Sequence, residues 1–407
     1  MNAPGRHVVI VGASLAGTKT AQGLRAVGFD GSITLIGAEE ELPYDRPPLS
    51  KDLLKTGWSE DFAGSVRLAT EEELRDLGVD VLLGNAATSL DTGAKTVRLT
   101  DGAEIAYDLL VIATGAAARP SPWRPESGVY QLRTLEDAKS IADRLERGGS
   151  LVVVGGGFIG TEIAAAACSR GCEVIVVDPI PEPMTRLVGP EVAGSLVELH
   201  RRNGAQTRFG VGVVDIEGAE GDLTITLADG ETLHADAVVV GIGSVPHTDW
   251  LDGSSLTVDN GVVTDGFLRA VGVDDVYALG DVARWPHPGR GALVRAEHWT
   301  NAGDQARYLA EAIVNGTDSP YAPTDYVWSD QYDWKVHAVG WRDPEGTSIV
   351  LGSLDEDGRV AVVHADAEGN ACGAVTVNWV RALNHLRRLL AAGGTAEEIV
   401  EQLRQRA

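Results

Sequence analysis

Sulfur and basic side chains are both scarce in this 407-residue chain, which holds 3 cysteines, 2 methionines and 34 Lys and Arg against 59 Asp and Glu. Cys168, Cys172 and Cys372 are too few for a disulfide framework. Cys168 and Cys172 stand four apart near the end of an apparent helix and read as small buried hydrophobes. The formal net charge of −25 excludes nucleic acid and anionic membranes as partners, because both select a basic footprint. No apolar run reaches about 18 residues, the length a membrane-spanning helix needs. The short run after Arg6 passes directly into a glycine turn with no signal-type cleavage region. A cytoplasmic protein without a membrane segment or a metal site is therefore expected. The remaining composition, 44% hydrophobic and 23% charged, is that of a globular chain with two or three domains.

Two glycine-rich turns dominate what is there: residues 12–17 (GASLAG) and residues 155–160 (GGGFIG). Each follows a valine-rich run and opens an alanine-rich helix. Such a turn lets the backbone approach a pyrophosphate closely and aims the positive end of a helix at it. A chain with two of them can hold one dinucleotide permanently and exchange another, a layout that suits a flavoprotein fed by a nicotinamide. Residues 7–11 (HVVIV) and 151–154 (LVVV) read as buried parallel strands. Each unit then reaches a second strand carrying an acid for ribose hydroxyls, Glu39 at the end of residues 33–39 and Asp178 at the end of residues 172–178. The first turn departs from the pattern at Ser14, whose Cβ crowds a phosphate while its hydroxyl can donate to one.

Residues 43–51 (PYDRPPLSK) form a proline-stiffened loop, and residues 107–115 (YDLLVIATG) a buried strand ending in a tight turn at Thr114 and Gly115. Residues 237–246 (AVVVGIGSVP) echo that strand end and suggest an internal duplication. Residues 273–281 (VDDVYALGD) place an acid where ligands of parallel sheets sit. The expected fold class is α/β, with two Rossmann-like dinucleotide-binding domains, the second inserted in the first, plus a small C-terminal α+β domain. The boundaries expected are 1–118 with 244–320 for the first domain, 119–243 for the second and 321–407 for the third, where residues 336–340, 349–351 and 360–363 alternate as strands.

These pieces resemble the ferredoxin reductases of bacterial oxygenase and cytochrome monooxygenase systems, within the two-dinucleotide flavoprotein superfamily. The resemblance spans nearly the whole chain and rests on PYDRPPLSK from Pro43, LRTLE from Leu132, GGGFIGTE from Gly155, GIGSVP from Gly241, YALGD from Tyr277, EHWTNA from Glu297 and WSDQ from Trp328. It implies FAD held by Gly12, Ser14, Leu15, Ala16, Gly17, Glu39, Arg46, Lys51, Thr114, Arg133, Asp281, Glu297, His298 and Trp299. It implies NADH facing Gly155, Gly157, Phe158, Ile159, Gly160, Glu162, Asp178 and Gly243. Lys51 and Glu162 would lie close to the flavin N5 and the nicotinamide as an orienting ion pair, with Trp328 shielding the nicotinamide face.

Each residue also has a plainer reading. Arg46 and Arg133 can fork onto phosphates or onto a nearby acid, and Asp281 can accept a ribityl hydroxyl or cap a helix. Without the resemblance Glu162 reads as an exposed helix residue, and Trp328 reads equally as core. Trp299 precedes a helix start whose positive end would suit a reduced flavin. Asp178, followed by Pro179, Ile180 and Pro181, favours NADH over NADPH, while Arg186 keeps the second open.

The implied activity is hydride uptake from NADH onto FAD and single-electron delivery to a small iron-sulfur ferredoxin. Rubredoxin or quinone reduction, or an NADH-responsive binding flavoprotein like apoptosis-inducing factor, is the alternative. A dithiol relay is excluded, because residues 43–51 contain no cysteine. Residues 373–396 contain no acid, and Arg381, His385 and Arg388 share one helical face there, either a docking surface for the ferredoxin or an ordinary solvated side.

Overall fold

The apolar runs become the middles of two parallel sheets. The computed structural model describes residues 5–405, the side chains of residues 186 and 187 excepted. Two compact units result: one from the residues up to Asp45 with Gly64–Ala117 and Ser244–Pro323, the other from Arg46–Ala63, Ala118–Gly243 and Thr324–Ala407.

In the first unit the sheet order is Val276–Ala278, Leu109–Ile112, His7–Val11, Ser32–Ile36, Val79–Leu82, with every pairing parallel. Val8, Val9, Ile10, Leu110, Val111 and Ile112 are wholly buried, which is why these strands are continuously apolar rather than alternating. One face packs on the helices Leu15–Ala26 and Trp299–Asn315 through Ala21, Leu24, Ala306 and Leu309. Gly23 permits that close helix packing, since an added Cβ would stand 3.0 Å from the Ala310 Cβ. The other face is covered by the antiparallel strands Ala87–Asp91, Thr96–Leu99 and Glu104–Ala106, with Leu90, Val97 and Leu99 in the core.

The second unit repeats this plan. Its parallel sheet runs Gln206–Phe209, Glu173–Asp178, Ser150–Val154, Ala237–Val240, Val129–Tyr130, covered by the meander Val213–Ala219, Asp222–Leu227, Thr232–Ala235. The late segment adds an antiparallel sheet in the order Tyr326–Gln331, Trp334–Gly340, Ala371–Val377, Arg359–Ala365, Thr347–Ser353. Its residues alternate between two cores, as strand geometry requires. Val360 and Val362 meet Val192, Leu196 and Leu199 of the helix Pro190–Arg202. Ala361 and Val363 meet Leu386, Ile399 and Leu403 of the two last helices, Val380–Ala392 and Ala396–Arg404. Packing on Pro190–Arg202 is one of the contacts that join the late sheet to the second unit. Among the described residues no helix is long and apolar enough to cross a membrane.

His364, buried in this late sheet beside Glu191 and Arg342, accepts or donates a 3.0 Å hydrogen bond with Ser348, and burial lowers its pKa from 6.5 to about 4. The folded state therefore prefers the neutral ring, so stability is intact above about pH 6.5 and is lost as pH falls toward 4, by about 3 kcal/mol in full. Urea midpoints at pH 7.5 and pH 5 should differ in the unaltered chain, and His364→Gln should remove much of that difference.

Candidate functional site

The first and last glycines of each turn are fixed by crowding. Gly12, at φ +120°, would place a Cβ 2.1 Å from the Ala113 carbonyl oxygen, and Gly155, at φ +115°, would place one 2.2 Å from that of Gly241. Gly17 and Gly160 would each meet the carbonyl of the turn's first glycine at 2.0 Å. The middle position differs: a Cβ on Gly157 would meet nothing within 4 Å, so the space over that turn is open. Ser14 holds the equivalent N-cap position in an extended conformation, φ −111°, without strain and without a side-chain cap bond.

How the helix ends are capped separates these two helices from others. Glu71–Asp76, Leu135–Glu146 and Ala396–Arg404 are closed by capping boxes, Thr70 with Glu73, Thr134 with Asp137 and Thr395 with Glu398. Leu15–Ala26 and Phe158–Ser169 have no side-chain cap and no acid in the first turn, where Leu15, Ala16, Phe158 and Ile159 stand. Their first N–H groups are left to an anion, and a dinucleotide's diphosphate fits both.

Within the first unit, Glu39 accepts a short hydrogen bond from the Tyr44 hydroxyl, and the Thr114 hydroxyl donates to the His247 carbonyl at 2.9 Å. Asp281 lies inside the short 3-10 turn Gly280–Val282, whose N-cap is Leu279, so a capping role does not occupy its carboxylate. The turn is held by Gln305, wholly buried, which accepts from the Gly280 N–H at 2.7 Å. Arg295 donates to the Asp281 carbonyl at 3.1 Å and pairs with Glu297 at 2.6 Å, and Glu297 also accepts from Ser244. His298 is the N-cap of Trp299–Asn315, which also lacks an acid in its first turn. Trp299 is thus the first helical residue rather than the one before it. Its ring is 38% exposed and donates to Asp45 at 2.8 Å. Gln305, Arg295 and Ser244 were not singled out in the sequence, although Ser244 lies within the GIGSVP block and the other two stand close to EHWTNA.

Within the second unit, Arg46 donates to the Arg133 carbonyl at 2.6 Å. Asp178 is buried, and its two oxygens accept from the Gly156 and Ile180 N–H groups, both at 2.7 Å. Beyond that strand end, where ligands of open α/β sheets bind, an open cavity of about 780 Å³ is lined by Pro181, Arg201, Arg208 and Phe209 among others. Gly243 takes φ +98° and its carbonyl accepts from Arg119 at 2.8 Å. The side chain of Arg186 lies outside the described residues. Trp328 is half-buried on its strand and stacks on Tyr326, centroids 5.9 Å apart, so it is neither fully core nor free.

Glu162 is the most constrained of these groups. Only 3% exposed, its carboxylate receives the Lys51 ammonium at 2.8 Å and the Ser50 hydroxyl at 2.5 Å on one oxygen, and the Ser329 hydroxyl at 2.6 Å on the other. The prolines of PYDRPPLSK start the 3-10 turn Pro47–Ser50, which presents Ser50 and Lys51 together. The reading of Glu162 as an exposed residue is overturned. Ser50, Ser329 and Gln331 had carried no assigned role, although two of them, polar at alternate positions of the strand Tyr326–Gln331, are wholly buried. The thiols are unsuited to redox relay, since burial raises the pKa of Cys168, Cys172 and Cys372 and keeps them protonated.

Removing one partner of a buried ion pair strands the other. Lys51→Met should therefore destabilise the fold by about 3 kcal/mol in urea unfolding, and pairing it with Glu162→Gln should recover most of that loss.

Comparison with known proteins agrees with this geometry. The family described as Pyridine nucleotide-disulphide oxidoreductase matches residues 6–306, and the Reductase C-terminal family matches residues 326–402. Rhodocoxin reductase of Rhodococcus erythropolis is 40% identical, over 86% of this chain and 81% of its own length. The ferredoxin–NAD(+) reductase component of the p-cumate 2,3-dioxygenase system of Pseudomonas putida is 38% identical, over 94% of this chain and 92% of its own. The structure of the covalent putidaredoxin reductase–putidaredoxin complex superposes with a TM-score of 0.88 at 32% identity, covering 94% of this chain and 92% of that one. With its paired glycine turns, its uncapped helices and these matches, the chain belongs to the pyridine nucleotide-disulphide oxidoreductase family and carries a reductase C-terminal domain.

Proposed function

We propose that the chain is an NADH-dependent ferredoxin reductase serving an oxygenase or a cytochrome monooxygenase. The observation that carries this reading is the pair of glycine-turn helices left uncapped, one in each unit, in a chain whose relatives are named for that activity. When bound, FAD accepts a hydride from NADH and releases electrons one at a time to a one-electron acceptor. The residues supply position and electrostatics. Residues 1–118 with 244–320 form the FAD-binding domain, residues 119–243 the NAD-binding domain and residues 321–407 the C-terminal domain.

In the first unit, the turn at Gly12, Ser14 and Gly17 holds the FAD diphosphate, Glu39 its ribose, and Asp281 a ribityl hydroxyl. The N-terminal end of the Trp299–Asn315 helix, with no acid in its first turn, would favour negative charge on a flavin ring near it, an effect worth up to about 2 kcal/mol in partly buried geometry.

In the second unit, the turn at Gly155, Gly157 and Gly160 holds the NADH diphosphate and Asp178 takes the ribose hydroxyls. A carboxylate there repels the extra phosphate of NADPH. Lys51 and Glu162 orient the nicotinamide, and Trp328 shields it from water. No proton is abstracted, so a closed ion pair suits the step better than a titrating base.

The ferredoxin docks on the helix Val380–Ala392, where Arg381 and Arg388 are exposed and His385, half-buried, meets Arg388 at 2.6 Å. A basic face on a chain of net charge −25 is suited to an acidic partner. A persistent NADH complex with slow turnover would instead favour the sensor-like reading.

Stopped-flow mixing of the purified chain with NADH should bleach a flavin band, with NADPH at least about tenfold less effective. Cytochrome c reduction should be fast only when a small iron-sulfur ferredoxin is added. Arg381→Ala with Arg388→Ala should raise the KM for ferredoxin about threefold or more, less so at high salt, and leave flavin reduction unaltered. A preparation that never takes up flavin would end this reading.

A further inference from the structure

The Glu162 carboxylate is the terminus of a longer line of buried groups in the second unit. Ser329, which donates to Glu162, accepts from the Gln331 amide nitrogen at 3.2 Å, and the same nitrogen reaches the Thr161 hydroxyl at 2.9 Å. The Gln331 amide oxygen meets His200 Nε2 at 2.9 Å, and His200 Nδ1 meets the Tyr332 hydroxyl at 3.3 Å. Tyr332 in turn hydrogen-bonds the Cys168 thiol. Ser329 and Gln331 are 0% exposed, Glu162 and His200 3%.

Hydrogen-bond accounting fixes the directions among Glu162, Ser329, Thr161, Gln331 and His200. Ser329 spends its proton on Glu162, and Thr161 spends its own on the carbonyls of Gly157 and Phe158 at 2.9 and 3.0 Å. Both hydroxyl oxygens are therefore acceptors toward Gln331, whose nitrogen must face them and whose oxygen must face His200. His200 then carries its proton on Nε2, and its Nδ1 accepts from Tyr332. Burial holds its pKa below the usual 6.5, in keeping with a neutral ring. Along the branch from His200 through Gln331 and Ser329 each donor points toward Glu162, so those bonds polarise one another in the same sense. A carboxamide stands in the middle, and an amide cannot pass a proton onward without becoming an imidic acid. The line therefore orients and does not conduct.

We propose that His200 is a positioning residue for Glu162, its Nε2–H fixing Gln331 and Ser329 so that one carboxylate oxygen is held and the other is left to Lys51 and Ser50. The proposal rests on the reading that Glu162 orients the nicotinamide. His200 lies on the helix Pro190–Arg202, outside every sequence block that pointed to the site.

The test uses the flavin-loaded full chain. In the unaltered protein, nitrogen NMR of the His200 ring should show a proton on Nε2 and an accepting Nδ1; a proton on Nδ1 instead would overturn the proposal. Single-turnover reduction by NADH should slow about fivefold in His200→Leu and in Gln331→Met. His200→Gln, which supplies an N–H at the same place, should stay within about twofold of the unaltered rate. The double variant His200→Leu with Glu162→Gln should be no slower than Glu162→Gln alone. An equal slowing by His200→Leu in both backgrounds would mean that the histidine matters only for general stability and would overturn the positioning role. A Glu162→Gln rate equal to the unaltered rate would instead overturn the reading of Glu162, and the proposal with it.

Discussion

A carboxylate shut away from water at Glu162 is the constraint around which the second unit is built. Two unit charges about 4 Å apart interact by about 1 kcal/mol in water and far more in a dry interior, so a buried acid must be matched on all sides or not exist. Matching it explains sequence features that otherwise look unrelated. A proline-rich loop must be stiff because it delivers Ser50 and Lys51 together. A strand of the late sheet must carry Ser329 and Gln331 on its buried side. The helix Pro190–Arg202 must place a histidine, His200, on the same buried face as apolar Leu196 and Leu199. The local stability of that interior and the chemistry proposed at its edge would therefore have one cause.

Much of the architecture was legible because burial on both faces leaves an uninterrupted apolar signature. Residues 7–11, 107–115, 151–154 and 237–240 could be read as central strands for that reason, and the crowding at Gly12 and Gly155 accounts for the glycine turns that follow. The strand Tyr326–Gln331 was not legible as a strand, since its inward residues Ser329 and Gln331 are polar and mimic an exposed face. The interior of Glu162 was hidden for a related reason: an acid in the second turn of a helix carries no local mark of burial, and its partners come from residues 111 positions upstream and 167 positions downstream. Asp281 kept its capping reading until the 3-10 turn showed Leu279 in that place.

The two units share a plan, and among the differences between their turns one falls at the helix N-cap. Gly157 leaves open space over the second helix end, whereas Ser14 adds a hydroxyl over the first. A hydroxyl can add one donor to a ligand that stays, while bare backbone suits a ligand that must leave. That asymmetry would match the proposed division between a resident dinucleotide at the first turn and a visiting one at the second.

Asp178 carries a consequence for speed. Two backbone N–H groups already clamp its carboxylate, one bond to each oxygen, so each oxygen still has a free lone pair. On the proposed assignment of Asp178 to the NADH ribose, an arriving sugar would find its receptor already set in place. Little rearrangement stands between encounter and seating, and turnover need not wait on that corner of the molecule to organise itself.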